Sequence, residues 1–406
     1  MEQSNLTLRW KSLVRAFSGP LLIVLFATGL YRASQNAAQT TLSLIAHDVL
    51  HIGPSLIGIA VTIAGLTSAG ASLLIAGRLR SHQLKGAILA SLLLGVLSIG
   101  LYYIASNVII FIAASVTIGI SGGLAMPTLA TLATTSKNIS PARGVAAYTA
   151  ALSASLAVGP LYETFILKSS HENVRIALMA FMPFPIIGFI LILFGIKAAQ
   201  NVRSTSKAKG GSLQIRQSIP IRLAISAQLL YQAPFVAVVA FGALIARYSF
   251  GASSSTAQLG FTIFFVLSFA SRVILLWKPD ILPPTRLLKV SALLTLIGVT
   301  MLALMHGEAL LIVSMALLGI PHGVTYPVSL ALLAKWTSQD TRTQANAALS
   351  SVTSFVGVLL PFILGLLAAS FGYRVMVGLV LIPVLVLAVP VFQSSEERLA
   401  TQATPA

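Results

Sequence analysis

Twelve stretches of about twenty predominantly apolar residues follow one another along the 406-residue chain, centred near residues 33, 65, 96, 121, 155, 186, 233, 267, 295, 321, 356 and 383. Each is long enough to cross the roughly 30 Å hydrocarbon core of a bilayer as a helix. Only 9% of the residues are charged and 56% are hydrophobic, against roughly 25% charged in a soluble domain, so there are too few polar side chains to clothe a water-soluble globule. The expected fold class is an all-α integral membrane protein with twelve transmembrane helices. The first apolar stretch runs from just after Arg15 to about Ala46. It is longer than a signal-peptide core and no small-residue cleavage site closes it, so it reads as the first span.

The formal charge is +17, from 26 basic and nine acidic residues. Twenty of the basic residues fall in loops on one face of the predicted spans. Lys168, Arg175, Arg247 and Arg374 fall on the other, and Arg32 and Arg272 lie inside spans. That asymmetry places both termini and the long middle loop in the cytoplasm of a multi-pass cell-membrane protein. Because the charge is dispersed among short loops, a nucleic-acid partner is excluded. The absence of cysteine excludes disulfides, Cys-ligated zinc, iron–sulfur clusters and thiol catalysis. No phosphate-cradling Gly-x-x-x-x-Gly-Lys-Ser/Thr motif is present, so intrinsic ATP hydrolysis is not expected. His47 and His51 have helical metal-ligand spacing, but with Asp48 as the one nearby acid at a loop edge they are not read as a metal site. With no convergent catalytic set in the spans, neither an enzyme nor a cofactor is expected.

A polar, basic, Ser- and Gly-rich segment from Gln200 to Ser218 divides the chain into two groups of six spans and reads as a flexible linker. The groups match at a shift of about 200 residues. Gly119, Gly123 and Pro127 recur as Gly319, Gly323 and Pro327; Arg143 and Arg175 recur, with the same spacing, as Arg342 and Arg374. The expected organisation is an N-terminal tail (1–17), a six-helix bundle (18–197), a linker (198–218), a second six-helix bundle (219–393) and a C-terminal tail (394–406). Such a parallel repeat places a solute cavity between its halves and lets them rock to open it on alternate sides.

Several motifs then bear on family. Ser140-Pro141-Ala142-Arg143-Gly144 follows the fourth span, and Leu44-Ile45-Ala46-His47-Asp48 with Ser55-Leu56-Ile57-Gly58 joins the first to the second. Gly77 opens a second-to-third loop running to Lys85, matched in the other half by Asp280, Arg286 and Lys289. Together these resemble the major facilitator superfamily over nearly the whole chain. The resemblance implies a secondary transporter, or permease, with motif residues Gly77, Arg143, Asp280, Arg286 and Arg342. Ser81 stands where the family's second-to-third loop carries Asp. Gly159-Pro160 resembles the family's antiporter motif, although Leu161, Tyr162 and Glu163 replace the Gly pair that follows. Ser115 stands where proton-coupled drug exporters of the family carry Arg.

The candidate site residues are polar groups inside spans. Arg32 lies halfway along the first, and helical spacing aligns it with Gln35, Asn36 and Gln39 in one polar stripe expected to face the cavity. Gln228, Tyr231 and Gln232 occupy similar depth in the seventh span, and His322 and Tyr326 lie one turn apart in the tenth. Arg32 either binds an anionic group of a solute or is satisfied structurally. Glu163 is either a proton carrier within the fifth span or an interfacial partner of Lys168. Asp48 reads as a solvated helix end, and Arg272 as an arginine snorkelling to the interface. The reading is a monomeric transporter of a small organic solute, anionic or neutral polar, using alternating access and in one version coupled to protons. Its alternatives are efflux of hydrophobic compounds and a membrane sensor that does not transport.

Overall fold

The computed structural model describes residues 19–134, 141–196, 218–278, 281–337 and 339–403, and these contain helices and no strand. In chain order they are α1 (Gly19–Leu44), α2 (Pro54–Gly70), α3 (Leu84–Ile104), α4 (Val108–Thr134), α5 (Pro141–Ser169) and α6 (Val174–Gly195, interrupted at 180–182). The second set is α7 (Ile219–Phe250), α8 (Ser254–Trp277), α9 (Pro284–Leu304), α10 (Glu308–Trp336), and α11 and α12, which share one continuous stretch, Gln339–Phe392. Gly372, at φ +79°, breaks that stretch into two spans; only glycine takes this backbone conformation without strain. A short amphipathic helix, α13 (Glu396–Ala403), closes the chain. Twelve spans result, as the apolar pattern predicts. α1 is the least apolar of them because its polar stripe dilutes it. Large apolar side chains such as Ile109, Phe194 and Trp277 point outward, a disposition that a surrounding of lipid accommodates.

α1 and α2 both loosen at one end. α1 passes into a wider π turn over Ile45–Val49, and α2 into a π turn over Ala71–Ile75 followed by a tight 3-10 turn over Ala76–Arg78. By contacts the chain falls into two compact units. The first comprises Met1–Ala38, Ile63–Gly159 and Arg175–Thr205; the second comprises Gln39–Thr62, Pro160–Val174 and Ser206–Ala406.

Within the first unit, α4 lies directly on α2. A Cβ at Gly119 would run into the Ala64 carbonyl, and one at Gly123 into the Ser68 carbonyl and the Ala71 side chain. Within the second, α10 lies on α8 in the same manner: Gly319 meets the Phe264 carbonyl, and Gly323 meets the Ser268 carbonyl and Ser271. Small residues let helix backbones touch where lipid supplies no hydrophobic drive for association. Every one of these pairs is related by a shift of 200, so the repeat seen in the glycines is a repeated helix contact. The paired arginines behave likewise. Arg175 donates to the Ala105 carbonyl at the end of α3 (2.5 Å), and Arg374 donates to the Met305 carbonyl at the end of α9 (3.2 Å) while its guanidinium also meets the His306 ring. Each satisfies a helix-terminal acceptor that the helix itself leaves open.

α13 is anchored by Glu396. Its carboxylate pairs with Lys335 at the end of α10 (2.6 Å) and accepts from the Thr285 hydroxyl at the start of α9 (2.9 Å). Partial burial pulls this carboxyl upward, but the hydrogen bonds from Lys335 and Thr285 together outweigh it and hold it below the ordinary glutamate range. A depressed carboxylate contributes its stability above the unfolded pKa of about 4.3 and loses it as pH falls through the lower folded value. Glu396→Gln is therefore expected to flatten the acid limb of a stability-versus-pH curve. Because the pair is half exposed, the cost near neutral pH is at most about 1 kcal/mol, measured by thermal unfolding from pH 3 to 7.

Candidate functional site

The first unit gathers its polar groups around Arg32 of α1. The Arg32 guanidinium donates to the Gln35 side-chain oxygen (2.9 Å) and lies within electrostatic reach of the Tyr31 and Tyr148 hydroxyls. Tyr31 itself is fully buried, its hydroxyl 2.6 Å from that of Ser121 on α4, which donates on to the Ser91 carbonyl of α3 (2.7 Å). Tyr148 of α5 donates to the Met126 carbonyl (3.0 Å). This framework locks α1 in rotation and leaves Arg32 half-buried, while Gln35 and Asn36 are enclosed. Within the stripe expected to face the cavity, Gln35 is packed over Gly122, where a Cβ would collide with its amide. Among the described residues no carboxylate forms an ion pair with Arg32.

The second unit gathers its polar groups around His322 of α10. The imidazole Nδ1 lies 2.7 Å from the Ser268 hydroxyl of α8. Its ring stacks on Phe235 of α7, with centroids 4.6 Å apart, and contacts Tyr231 and Phe264 at 5.8 and 5.3 Å. Arg272 donates to the His322 main-chain carbonyl (3.2 Å), so it is held inward by α10 rather than snorkelling as expected. Gln228 and Tyr231 face the interior one turn apart, and the Gln228 carbonyl oxygen and Tyr231 hydroxyl are buried without a hydrogen-bond partner. Buried polar atoms are nearly always satisfied in folded proteins, and these two share one helix face. Gln232 is half-buried against Gly357 of α11. Tyr326 is exposed, its hydroxyl 3.3 Å from that of Ser350.

Two acids singled out in the sequence, Glu163 and Asp48, also lie in the second unit. Glu163 follows Pro160, which withdraws from α5 the N–H that would bind the Leu156 carbonyl. Its side chain is fully buried and accepts a hydrogen bond from Thr41 of α1. Its second oxygen is buried with no partner, and among the described residues no cation pairs with it, which sets aside the Lys168 alternative. Asp48 is not a solvated end. It forms an ion pair with Arg247 (2.9 Å) and accepts from the Tyr248 hydroxyl (2.7 Å), with the His47 ring against both. Nearby, Glu172 accepts from the Ser255 N–H in the first turn of α8 (2.7 Å), a favourable place for a carboxylate.

A profile of the Major Facilitator Superfamily matches residues 24–246 and, a second time, residues 223–405. The chain belongs to the Major Facilitator Superfamily. Membership makes it an integral multi-pass membrane protein of a transporter family. Solved structures similar to this superfamily member include a bacterial homolog of the human lysosomal transporter Spinster, inward-facing and occupied. That pair has 12% identity and a TM-score of 0.71, covering 95% of this chain and 98% of that one. The nucleoside transporter NupG matches at 12% identity and a TM-score of 0.71, over 93% of this chain and 100% of that one. A mutant of the peptide transporter POT matches at 11% and 0.69, over 91% and 93%. At such identities the likeness is one of fold. No curated protein matches by sequence.

The superfamily motif residues are placed unevenly. Gly77 lies in the exposed 3-10 turn after α2, and a Cβ added at Gly159 would sit in ordinary van der Waals contact with Ala33 of α1, 3.5 Å away. Arg286 is exposed near the start of α9. Asp280 and the side chains of Arg143 and Arg342 lie outside the described residues. Several structurally prominent groups had no individual signal in the sequence: Thr41 as the partner of Glu163, Phe235 as the stacking partner of His322, and the wholly buried Gln258 of α8, whose two amide atoms are unpartnered. For Ser268 a signal existed, since Ser68 precedes it by 200 residues.

Proposed function

We propose that this protein is a secondary transporter that carries a small organic solute, anionic or neutral polar, across the membrane by alternating access, without transforming it. The observation that carries this reading is Arg32. A guanidinium halfway along a membrane helix, half-buried and without a carboxylate partner among the described residues, is costly unless water or an anion answers it. The unpartnered Gln228 and Tyr231 atoms supply polar recognition in the second repeat. Both termini face the cytoplasm in this reading, and the chain works as a monomer. Glu163 carries the coupling proton. A carboxyl in a span, with one hydroxyl partner and one unmet oxygen, is suited to exchanging a proton when the helices around it rearrange.

A second reading, efflux of hydrophobic compounds, is favoured by the aromatic cluster of Phe235, Phe264 and Tyr231 around His322. The two readings separate in a thermal-shift screen of the purified protein against polar anions, neutral polar solutes and hydrophobic cations, followed by uptake into proteoliposomes. An anion or neutral polar solute that both stabilises the protein and enters vesicles is the expected result. Stabilisation by hydrophobic cations alone rejects it. For coupling, Glu163→Gln is expected to abolish accumulation driven by a pH gradient while leaving solute exchange intact. A full gradient response in that variant removes Glu163 from the mechanism.

A further inference from the structure

At the start of α12 one guanidinium ties together the ends of two other helices. Arg374 donates to the Ser249 carbonyl in the last turn of α7 and to the Met305 carbonyl just past α9 (3.2 Å), with the centre of the Phe250 ring 5.9 Å away. Carbonyls at a helix end lack partners within the helix and lie at the negative pole of its dipole, so a cation placed there holds both ends. The same guanidinium lies against the imidazole of His306, its two terminal nitrogens 2.7 Å from Nε2 and 2.5 Å from Nδ1. A guanidinium has donors and no acceptor, so a hydrogen bond in this pair needs a ring nitrogen with a free lone pair. A neutral imidazole offers one. A protonated imidazole offers none and brings a second positive charge.

The repeat supplies its own comparison. Arg175 caps the Ala105 carbonyl as Arg374 caps that of Met305, but the residue after Ala105 is Ser106, where the second repeat has His306. The clamp is duplicated and the titratable group is not. His306 is exposed and lies between α9 and α10, outside both apolar runs, so protons reach it from bulk water. At the neighbouring helix ends, Arg247 and Tyr248 of α7 are engaged with Asp48, and Tyr373 stacks on Tyr248 at 6.1 Å. Glu308, two residues along in α10, is exposed, and among the described residues no carboxylate forms an ion pair with His306 or Arg374. We propose that His306 is a proton-operated latch on Arg374. Neutral, it accepts from the guanidinium and steadies the clamp on α7 and α9; protonated, it repels the guanidinium and loosens both helix ends. Imidazole changes charge between about pH 5 and pH 8. The latched form binds one proton fewer than the released form, so acid favours release. The latch does not depend on which solute the protein carries.

The test is hydrogen–deuterium exchange on the full chain in detergent at about pH 5.5 and about pH 7.5, either side of the ordinary imidazole range, corrected for intrinsic exchange. Peptides spanning the ends of α7 and α9 are read beside the peptide around Ala105 and Ser106. Acidification is expected to lower protection at the ends of α7 and α9 by about fivefold, the Boltzmann factor of two unit charges about 4 Å apart in water. The Ala105 peptide should not respond. His306→Ser, which installs the residue of the first repeat, should abolish the pH response. His306→Arg, which fixes the charge, should show the acid pattern already at the higher pH. A response that persists in His306→Ser overturns the latch, as does parent-like protection in His306→Arg at the higher pH. An equal loss of protection in the Ala105 peptide also overturns it, because the response is then global.

Discussion

Arg32→Gln is expected to weaken solute binding by at least about 30-fold while leaving the empty protein about as stable as the parent. The glutamine amide keeps a donor for Gln35, whose oxygen Arg32 now engages at 2.9 Å, and so does not orphan that buried acceptor. It removes the charge together with the outer part of the guanidinium fork. Losing one partner of a desolvated charge pair costs about 2 to 5 kcal/mol, a roughly 30-fold to several-thousandfold loss of affinity. The solute found by the thermal-shift screen, titrated calorimetrically against both proteins, gives the comparison. Arg32→Lys should fall between them, because a lysine keeps the charge but lacks the planar fork. Parent-like affinity in Arg32→Gln, or a loss of stability with affinity intact, makes Arg32 a structural residue and rejects its role in the site.

The second large effect is expected from the helix contacts. Gly123→Leu or Gly323→Leu must push apart two backbones, since the obstacle is the Ser68 or Ser268 carbonyl and not the tip of a mobile side chain. Overpacking a core costs about 1 to 3 kcal/mol, and a rigid obstacle places these changes at the upper end, about 3 kcal/mol each. Against a net stability of only about 5 to 15 kcal/mol, that should show as a lowered melting temperature and a reduced monodisperse fraction on size exclusion. Gly53→Ala, with open space around its Cβ, serves as the control and should be neutral. Because the two contacts are copies of one another, the two leucine variants should fail to similar degrees. A tolerated Gly323→Leu beside a failing Gly123→Leu means that the second repeat relaxes around the insertion.

The network of Asp48, Arg247, Tyr248 and His47 shows where sequence reading stopped. Periodicity places Asp48 at a helix end, and a lone acid there reads as solvated. Its partners lie some 200 residues away in sequence, on a helix whose rotation hydropathy does not determine. Glu163 is the same case. Its isolation in an apolar run was visible, but the choice between Lys168 and a buried hydroxyl depended on α1 presenting Thr41 to it. The polar stripe of α1 was visible as a stripe, yet only packing divides it into an enclosed Gln35 and a half-buried Arg32.

By itself the sequence determined what each residue's own solvation demands. Twelve segments too apolar for water and an internal shift of 200 residues establish the fold and its duplication, because transfer to lipid and covalent repetition are local properties of the chain. The tertiary structure decided which polar group meets which. Hydrogen bonds and ion pairs act over about 3 Å and require two helices to present the right faces at one level, and neither the rotation nor the level of a helix is written in its composition.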